Sequence, residues 1–360
     1  MHLESNIRKI QVHRILAAFH LFTPVIILFF TENGLSLTQA ALLQSVYTAG
    51  VLFMRRPAAR LSDRYGRRIA LAISGALLFA SVSALSLSTQ FIEFLTAQIL
   101  FAAGVSLEAG SSKALLRETL QDADETGRYG EIWSKTSTYG LVSASLACLI
   151  GGLIGQESLR LVFLAMTPIY LLMIPVSLSL RSPEAERELT AETPKLREIL
   201  KPEDYSLSDL ARSSGEATLK SGYFLYQPFL AGIGASIGLI GVAFSAMTLT
   251  SAIGSKLAQR GKIVSGPVSA VIGATGFASL GSLGAPAAGL VGTQALARGA
   301  LGSASAGKQS GRSLSRLIFI PLFPLTAAST QYFGAETVFL GLAVFLGVIS
   351  LALVFKGKDQ

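Results

Sequence analysis

Five ionisable residues stand in stretches that are otherwise apolar or built of small residues: His20, Glu108, Glu216, Lys220 and Arg298. A charge held away from water is costly, so a lone carboxylate in such a setting is first of all a candidate proton carrier. Glu108 fits that description, with a structural role among Ser106, Ser111, Ser112 and Lys113 as the alternative. His20 is of the type whose charge changes near neutral pH. It either takes a second proton or simply bonds a carbonyl or hydroxyl. Glu216 and Lys220 are four apart, so they either meet a ligand or neutralise each other across one helical turn. Arg298 either faces a ligand or snorkels to a membrane surface. Beyond Lys220 the chain reads Tyr223-Phe224-Leu225-Tyr226-Gln227-Pro228. Pro228 interrupts backbone bonding, and Tyr223, Tyr226 and Gln227 offer an aromatic and polar lining. A belt of aromatics at the membrane interface is the rival reading for Tyr226.

Other chemistries lack their parts. The three histidines include His2 in the tail and His13 at a membrane edge, and Cys148 is the only cysteine. No nucleophile–base pair or metal cluster at membrane depth emerges from that set. No Gly-x-x-x-x-Gly-Lys-Ser/Thr loop is present, which argues against an ATP-driven pump in one chain. The expectation is a non-enzyme without cofactor or metal.

The elements that must position these residues follow from composition. Of 360 residues 51% are hydrophobic and only 14% charged, against about 25% charged in soluble chains. Mean hydropathy is +0.54. A membrane helix needs roughly 20 apolar residues, and twelve windows qualify: 12–30, 37–54, 69–88, 92–116, 132–155, 159–180, 207–230, 235–255, 263–283, 285–306, 313–332 and 335–355. The seventh, ninth and tenth are rich in Gly, Ala and Ser. They are kept because long apolar loops facing lipid would leave backbone groups unsatisfied. The first window reads as a span, not a cleaved leader, because a second span follows at once.

Charge placement fixes the expected topology. With an inner N-terminus, the outer loops hold only Arg160, so 29 of the 30 Lys and Arg residues lie on or toward one side. That is the positive-inside pattern of a multi-pass protein in the cell membrane with both termini cytoplasmic. The net charge of +8 is therefore a topology signal, and no nucleic-acid partner is expected. Five basic and seven acidic residues between Arg181 and Tyr205 mark a solvated linker. It separates an expected bundle at 1–180 from another at 207–360, with the linker at 181–206. Between the second and third spans of each half a degenerate repeat occurs. Arg60-Leu61-Ser62-Asp63-Arg64-Tyr65-Gly66-Arg67-Arg68-Ile69 aligns with Lys256-Leu257-Ala258-Gln259-Arg260-Gly261-Lys262-Ile263. Parallel six-span repeats are a transporter architecture. Seventeen of the 35 glycines fall between Ala231 and Arg312, including Gly289, Gly292, Gly299 and Gly302, a spacing suited to close helix packing.

Pro57-Ala58-Ala59-Arg60-Leu61-Ser62-Asp63-Arg64-Tyr65-Gly66-Arg67-Arg68 resembles the signature loop of the major facilitator superfamily, Pro-x-Gly-x-x-x-Asp-Arg-x-Gly-Arg-Arg. Glu32 to Gln39 looks like that family's first outer loop, and Gly110 to Leu120 like the inner end of its fourth helix. The resemblance implies an all-α fold of twelve transmembrane helices in two six-helix bundles. It also implies a secondary active transporter of a small solute by alternating access, plausible as a proton-coupled one. Helices 1, 4, 7 and 10, which line that family's central cavity, each carry at least one of the five ionisable residues. The resemblance further implies a conformational latch in which Asp63 and Arg67, with Arg64, Gly66 and Arg68 around them, meet Glu118 and the start of the eleventh helix. Gly66 permits the tight turn. Ala59 replaces the usual glycine, Arg60 a commonly apolar residue, and Gln259 the second-half aspartate. Exporters of the family carry Gly-Pro-x-x-Gly-Gly in the fifth helix. Here Ala147-Cys148-Leu149-Ile150-Gly151-Gly152 keeps the glycine pair but lacks Gly-Pro, which weakens the exporter assignment and leaves only a slight lean to efflux of a small organic compound. The expected partners are a small-molecule substrate, protons and membrane lipid, with the chain a monomer. A non-transporting receptor or scaffold of the same fold is the alternative.

Overall fold

The computed structural model describes residues 2–182, 207–259 and 309–356. Among them every regular element is a helix. The order is α1 (His2–Ala18), α2 (Ile26–Glu32), α3 (Leu37–Phe53), α4 (Arg55–Tyr65), α5 (Arg67–Leu87), α6 (Phe91–Asp122), α7 (Tyr129–Glu157), α8 (Leu159–Leu178), α9 (Leu207–Gly232), α10 (Ile237–Gln259), α11 (Gln309–Phe333) and α12 (Ala335–Lys356). The expected spans at 263–283 and 285–306, Arg298, most of the linker and the Gly289–Gly302 pattern lie outside the described residues.

Four described helices, α5 to α8, are each long and apolar enough to cross a membrane, and α3 with α4 makes a fifth if that bent pair counts as one. At 32 residues, α6 is about 48 Å long. That exceeds the roughly 30 Å of a bilayer core.

Two expected elements take a different form. The first span, 12–30, is broken between Ala18 and Ile26. Pro24 has no N–H to give the His20 carbonyl, as a helix would require. That carbonyl accepts instead from the Thr23 N–H at 3.3 Å. The signature segment after α3 is not a loop but the helix α4, bent 47° from α3. Pro57 cannot donate to Phe53, which interrupts the ladder. Within the first turn of α4 the missing N–H costs little, and Ala58, Ala59, Arg60 and Leu61 are strong helix formers. The chain turns into α5 at Gly66, whose φ of 91° lies in the region that favours glycine.

The helices divide between two compact units, Met1–Thr23 with Val46–Thr193, and Pro24–Ser45 with Pro194–Gln360. In the first, α5 runs along both α6 and α8, while α1 packs on α6, α7 and α8. Small residues set the spacing. A Cβ on Gly104 would come within 2.8 Å of Leu78 Cγ, and one on Gly75 within 3.1 Å of Met173 Cβ. Ser74 Oγ donates to the Gly104 carbonyl and Ser81 Oγ to that of Ala97, each at 2.8 Å. Such contacts matter here because lipid is as apolar as the side chains, so packing and hydrogen bonds drive association. At one end Ile7 and Ile10 of α1 bury against Leu71, Leu116, Ile132 and Leu180.

In the second unit α9 packs on α2, α10, α11 and α12. Its apolar face is aromatic. Phe224 lies 5.5 Å from Phe323, Tyr223 4.7 Å from Phe244, and Tyr226 stacks on Phe339 at 5.7 Å. The helix continues through Pro228 to Gly232.

Candidate functional site

The first unit brings Glu108 of α6 against Arg14 of α1. Arg14 Nη1 lies 3.5 Å from Glu108 Oε1, with side-chain exposures of 31% and 7%. Arg14 Nε is buried without a hydrogen-bond partner among the described residues. Room for this guanidinium is left by Gly140 of α7, where a Cβ would approach Arg14 Nε to 3.2 Å. Beside them on α1 is His13, buried, with neither ring nitrogen hydrogen-bonded among the described residues. It sits within electrostatic reach of Glu108 and Arg14.

His20 lies in the break after α1, half-buried, its Nδ1 2.7 Å from the Tyr170 hydroxyl of α8. Its ring is framed by Phe22 and Phe101 at 5.6 and 6.0 Å. The break is itself enclosed by protein, which is where non-helical backbone is tolerated at membrane depth. The Leu21 N–H points at Met166 Sδ, 3.4 Å away, and Gly151 of α7 packs so closely that a Cβ there would overlap the Leu21 carbonyl. Gly151 of the α7 glycine pair thus has a packing reason.

A sequence reading that lists charges within apolar windows finds Glu108 and His20 but passes over Arg14, His13 and Tyr170. Arg14 is counted there with the inner cations, and Tyr170 is hidden in an aliphatic run. No local spacing finds them, because α1 ends at Ala18 and His20 lies beyond it.

At the ends of α4 and α5 a second cluster forms. Arg67, only 3% exposed, donates through Nε to Glu118 Oε1 at 2.8 Å and through Nη1 to Asp63 Oδ1 at 2.5 Å. Nη1 also reaches Ser62 Oγ at 3.0 Å, and Ser62 Oγ lies 2.8 Å from Ser111 Oγ of α6. The planar fork of arginine is suited to holding two carboxylates in fixed directions. Arg64 and Arg68 are exposed, with Arg64 lying 5.5 Å over the neighbouring Tyr65 ring.

On α9, in the second unit, Glu216 and Lys220 are both partly exposed. Lys220 Nζ lies 4.1 Å from the centroid of Phe319, a cation–π distance. Tyr223 is nearly buried, while Tyr226 and Gln227 are fully buried. Gln227 Oε1 accepts the Ile27 N–H at 2.8 Å. Ile27 stands in the first turn of α2, where a helix has no internal acceptor for its N–H groups, so Gln227 caps that turn from another helix.

Comparison with solved structures gives the same architecture at low identity. A mutant of the nucleoside transporter NupG matches with a TM-score of 0.78 at 12% identity, over 97% of this chain and 99% of that one. A D-xylose-proton symporter matches at 0.67 and 13%, over 96% and 97%. A bacterial homolog of the human lysosomal transporter Spinster, in an inward-facing and unoccupied conformation, matches at 0.72 and 15%, over 98% and 95%. No curated protein sequence matches the chain. The family model described as Major Facilitator Superfamily matches residues 15–307. With most of its length matched by that model and its helices arranged as in these transporters, the chain belongs to the major facilitator superfamily.

Proposed function

We propose that this multi-pass protein is a secondary active transporter that moves a small solute by alternating access, coupled to protons through Glu108. The observation that carries the proposal is the Arg14–Glu108 pair, a buried carboxylate held at 3.5 Å by a partly exposed guanidinium. In a medium of low dielectric the attraction between the two depends strongly on Glu108 being ionised. Protonation removes it, frees Arg14, and gives the two states of the site different solute affinities. His20, on the Tyr170 hydroxyl, is the second titrating group. The similar structures, a nucleoside transporter and a D-xylose-proton symporter, support a small polar solute and proton coupling.

On this reading Glu216, Lys220, Tyr223, Tyr226 and Gln227 of α9, with Arg298, are contributed by the second half to the solute pathway. The Arg67 cluster with Asp63 and Glu118 is the latch that holds one conformation. The chain sits in the cell membrane as a monomer, with both termini cytoplasmic. The direction proposed is efflux of a small organic compound.

The test is flux in proteoliposomes with and without an imposed proton gradient, for wild type and Glu108→Gln. Coupled transport predicts solute-dependent proton movement that Glu108→Gln abolishes. Absence of flux across a broad solute panel, with proton uptake unchanged in Glu108→Gln, sinks the proposal.

A further inference from the structure

Between the first turns of α1 and the end of α8 lies a groove of about 540 Å³, lined by Glu4, Ser5, Arg8, Lys9, Val12, Val176 and Ser179. Its α1 wall is one helical face: residues 4, 8 and 12 form an i,i+4 row, with 5 and 9 beside it. Its α8 wall is Val176 and Ser179, and Leu172 stands one turn before Val176 on the same helix. The walls are fixed to one another. Asn6 Oδ1 accepts the Arg181 N–H at 2.9 Å, and Asn6 Nδ2 donates to Thr119 Oγ1 at 3.0 Å. Lys9 Nζ donates to the Ser179 carbonyl at 2.7 Å.

Charge and apolarity are segregated along this groove. Glu4, its one acid, is turned to Arg128 at 3.3 Å, and Arg128 also pairs with Glu125. Arg8 is exposed and has no hydrogen-bond or ion-pair partner among the described residues. The polar end is therefore cationic. One turn further on, Val12 is 46% exposed and Leu172 51%. The 20 residues of α8 rise about 30 Å, the thickness of a bilayer core. Ser179 and Lys9 thus stand at headgroup level, while Val176 and Leu172 stand at acyl-chain level.

We propose that this groove binds one anionic phospholipid, its phosphate on Arg8 and Lys9 and its acyl chain along Val12, Val176 and Leu172. A soluble phosphate would use the cationic end but gain nothing from the apolar row. A zwitterionic lipid would fill the row but lose net attraction to the two cations. The site is independent of the transport reading, since none of its residues belongs to the Glu108 or Arg67 clusters.

The experiment is native mass spectrometry of the full chain released from micelles carrying dioleoylphosphatidylglycerol or dioleoylphosphatidylcholine, with glycerol phosphate as competitor. Retention of one phosphatidylglycerol in preference to phosphatidylcholine is expected. At about 1 kcal/mol per basic residue near the surface, Arg8→Ala with Lys9→Ala weakens phosphatidylglycerol retention roughly 30-fold. Arg8→Ala alone, which breaks no intramolecular contact, weakens it roughly 5-fold by the same scale. Lys135→Ala, an exposed cation on α7, leaves retention unchanged. The proposal is overturned if the double variant retains the lipid as wild type does, or if Lys135→Ala loses as much as Arg8→Ala. It is equally overturned if phosphatidylcholine is held as tightly, or if glycerol phosphate displaces the lipid at equal concentration.

Discussion

Arg67 and Glu118 meet Nε to Oε1 at 2.8 Å with both side chains under 10% exposed, joining the first turn of α5 to the last turns of α6. Two charges so enclosed are held by mutual attraction and by the further bonds of Arg67 to Asp63 and Ser62. Removing one partner of a buried pair leaves the other charge uncompensated, at a cost of about 3–5 kcal/mol. Arg67→Ala is therefore expected to lower the thermal midpoint of the purified protein sharply. Arg67→Lys rescues it only in part, because a point charge cannot reproduce the fork. In a double-mutant cycle, Arg67→Ala with Glu118→Ala costs less than the two single losses added together.

The Arg14–Glu108 pair yields a prediction that separates coupling from binding. Glu108→Gln mimics the protonated acid, so it is expected to remove solute-driven acidification while leaving solute exchange between equal pools intact. Arg14→Ala instead leaves a buried carboxylate unpaired and impairs both. A pH-sensitive dye trapped in proteoliposomes, read beside isotope exchange, distinguishes the two patterns.

Gly151 is the tightest contact between α7 and the broken backbone after α1. A methyl group there meets the Leu21 carbonyl, and forcing extra volume into packed contacts costs typically about 1–3 kcal/mol. Gly151→Ala is expected to destabilise the fold by that order. Gly110→Ala, where an added Cβ meets nothing within 4 Å, is expected to be neutral. Differential scanning fluorimetry on both variants checks the contrast.

Gln227 caps the start of α2 through the Ile27 N–H. Gln227→Leu keeps the volume and removes the acceptor, leaving a buried donor unsatisfied at about 1–3 kcal/mol. Gln227→Glu keeps an acceptor oxygen and is expected to restore part of the loss at low pH, where the carboxyl is neutral. The measurement is thermal stability of the three proteins across a pH series.

Hydropathy sums and charge counts are local quantities, and what they determine is local as well. Apolar windows placed the starts of α5 to α8 within three residues, and the arginines around Asp63 marked the segment that resembles the family's signature. Even the partners Arg67 and Glu118 could be named through that resemblance. A window average does not register one missing N–H, however, so the break around Pro24 was invisible inside an apolar run, and the helix of α4 was hidden in a segment read as a loop. Nor does spacing say which face of α1 turns toward α6. Whether Arg14 is a surface anchor or the partner of Glu108, 94 residues away, depends on helix rotation and on the room left by Gly140. Gln227 shows the same limit, since its bond to Ile27 joins residues 200 apart. Composition decided that these helices leave water; only the packing of one against another decided which of their few polar groups meet.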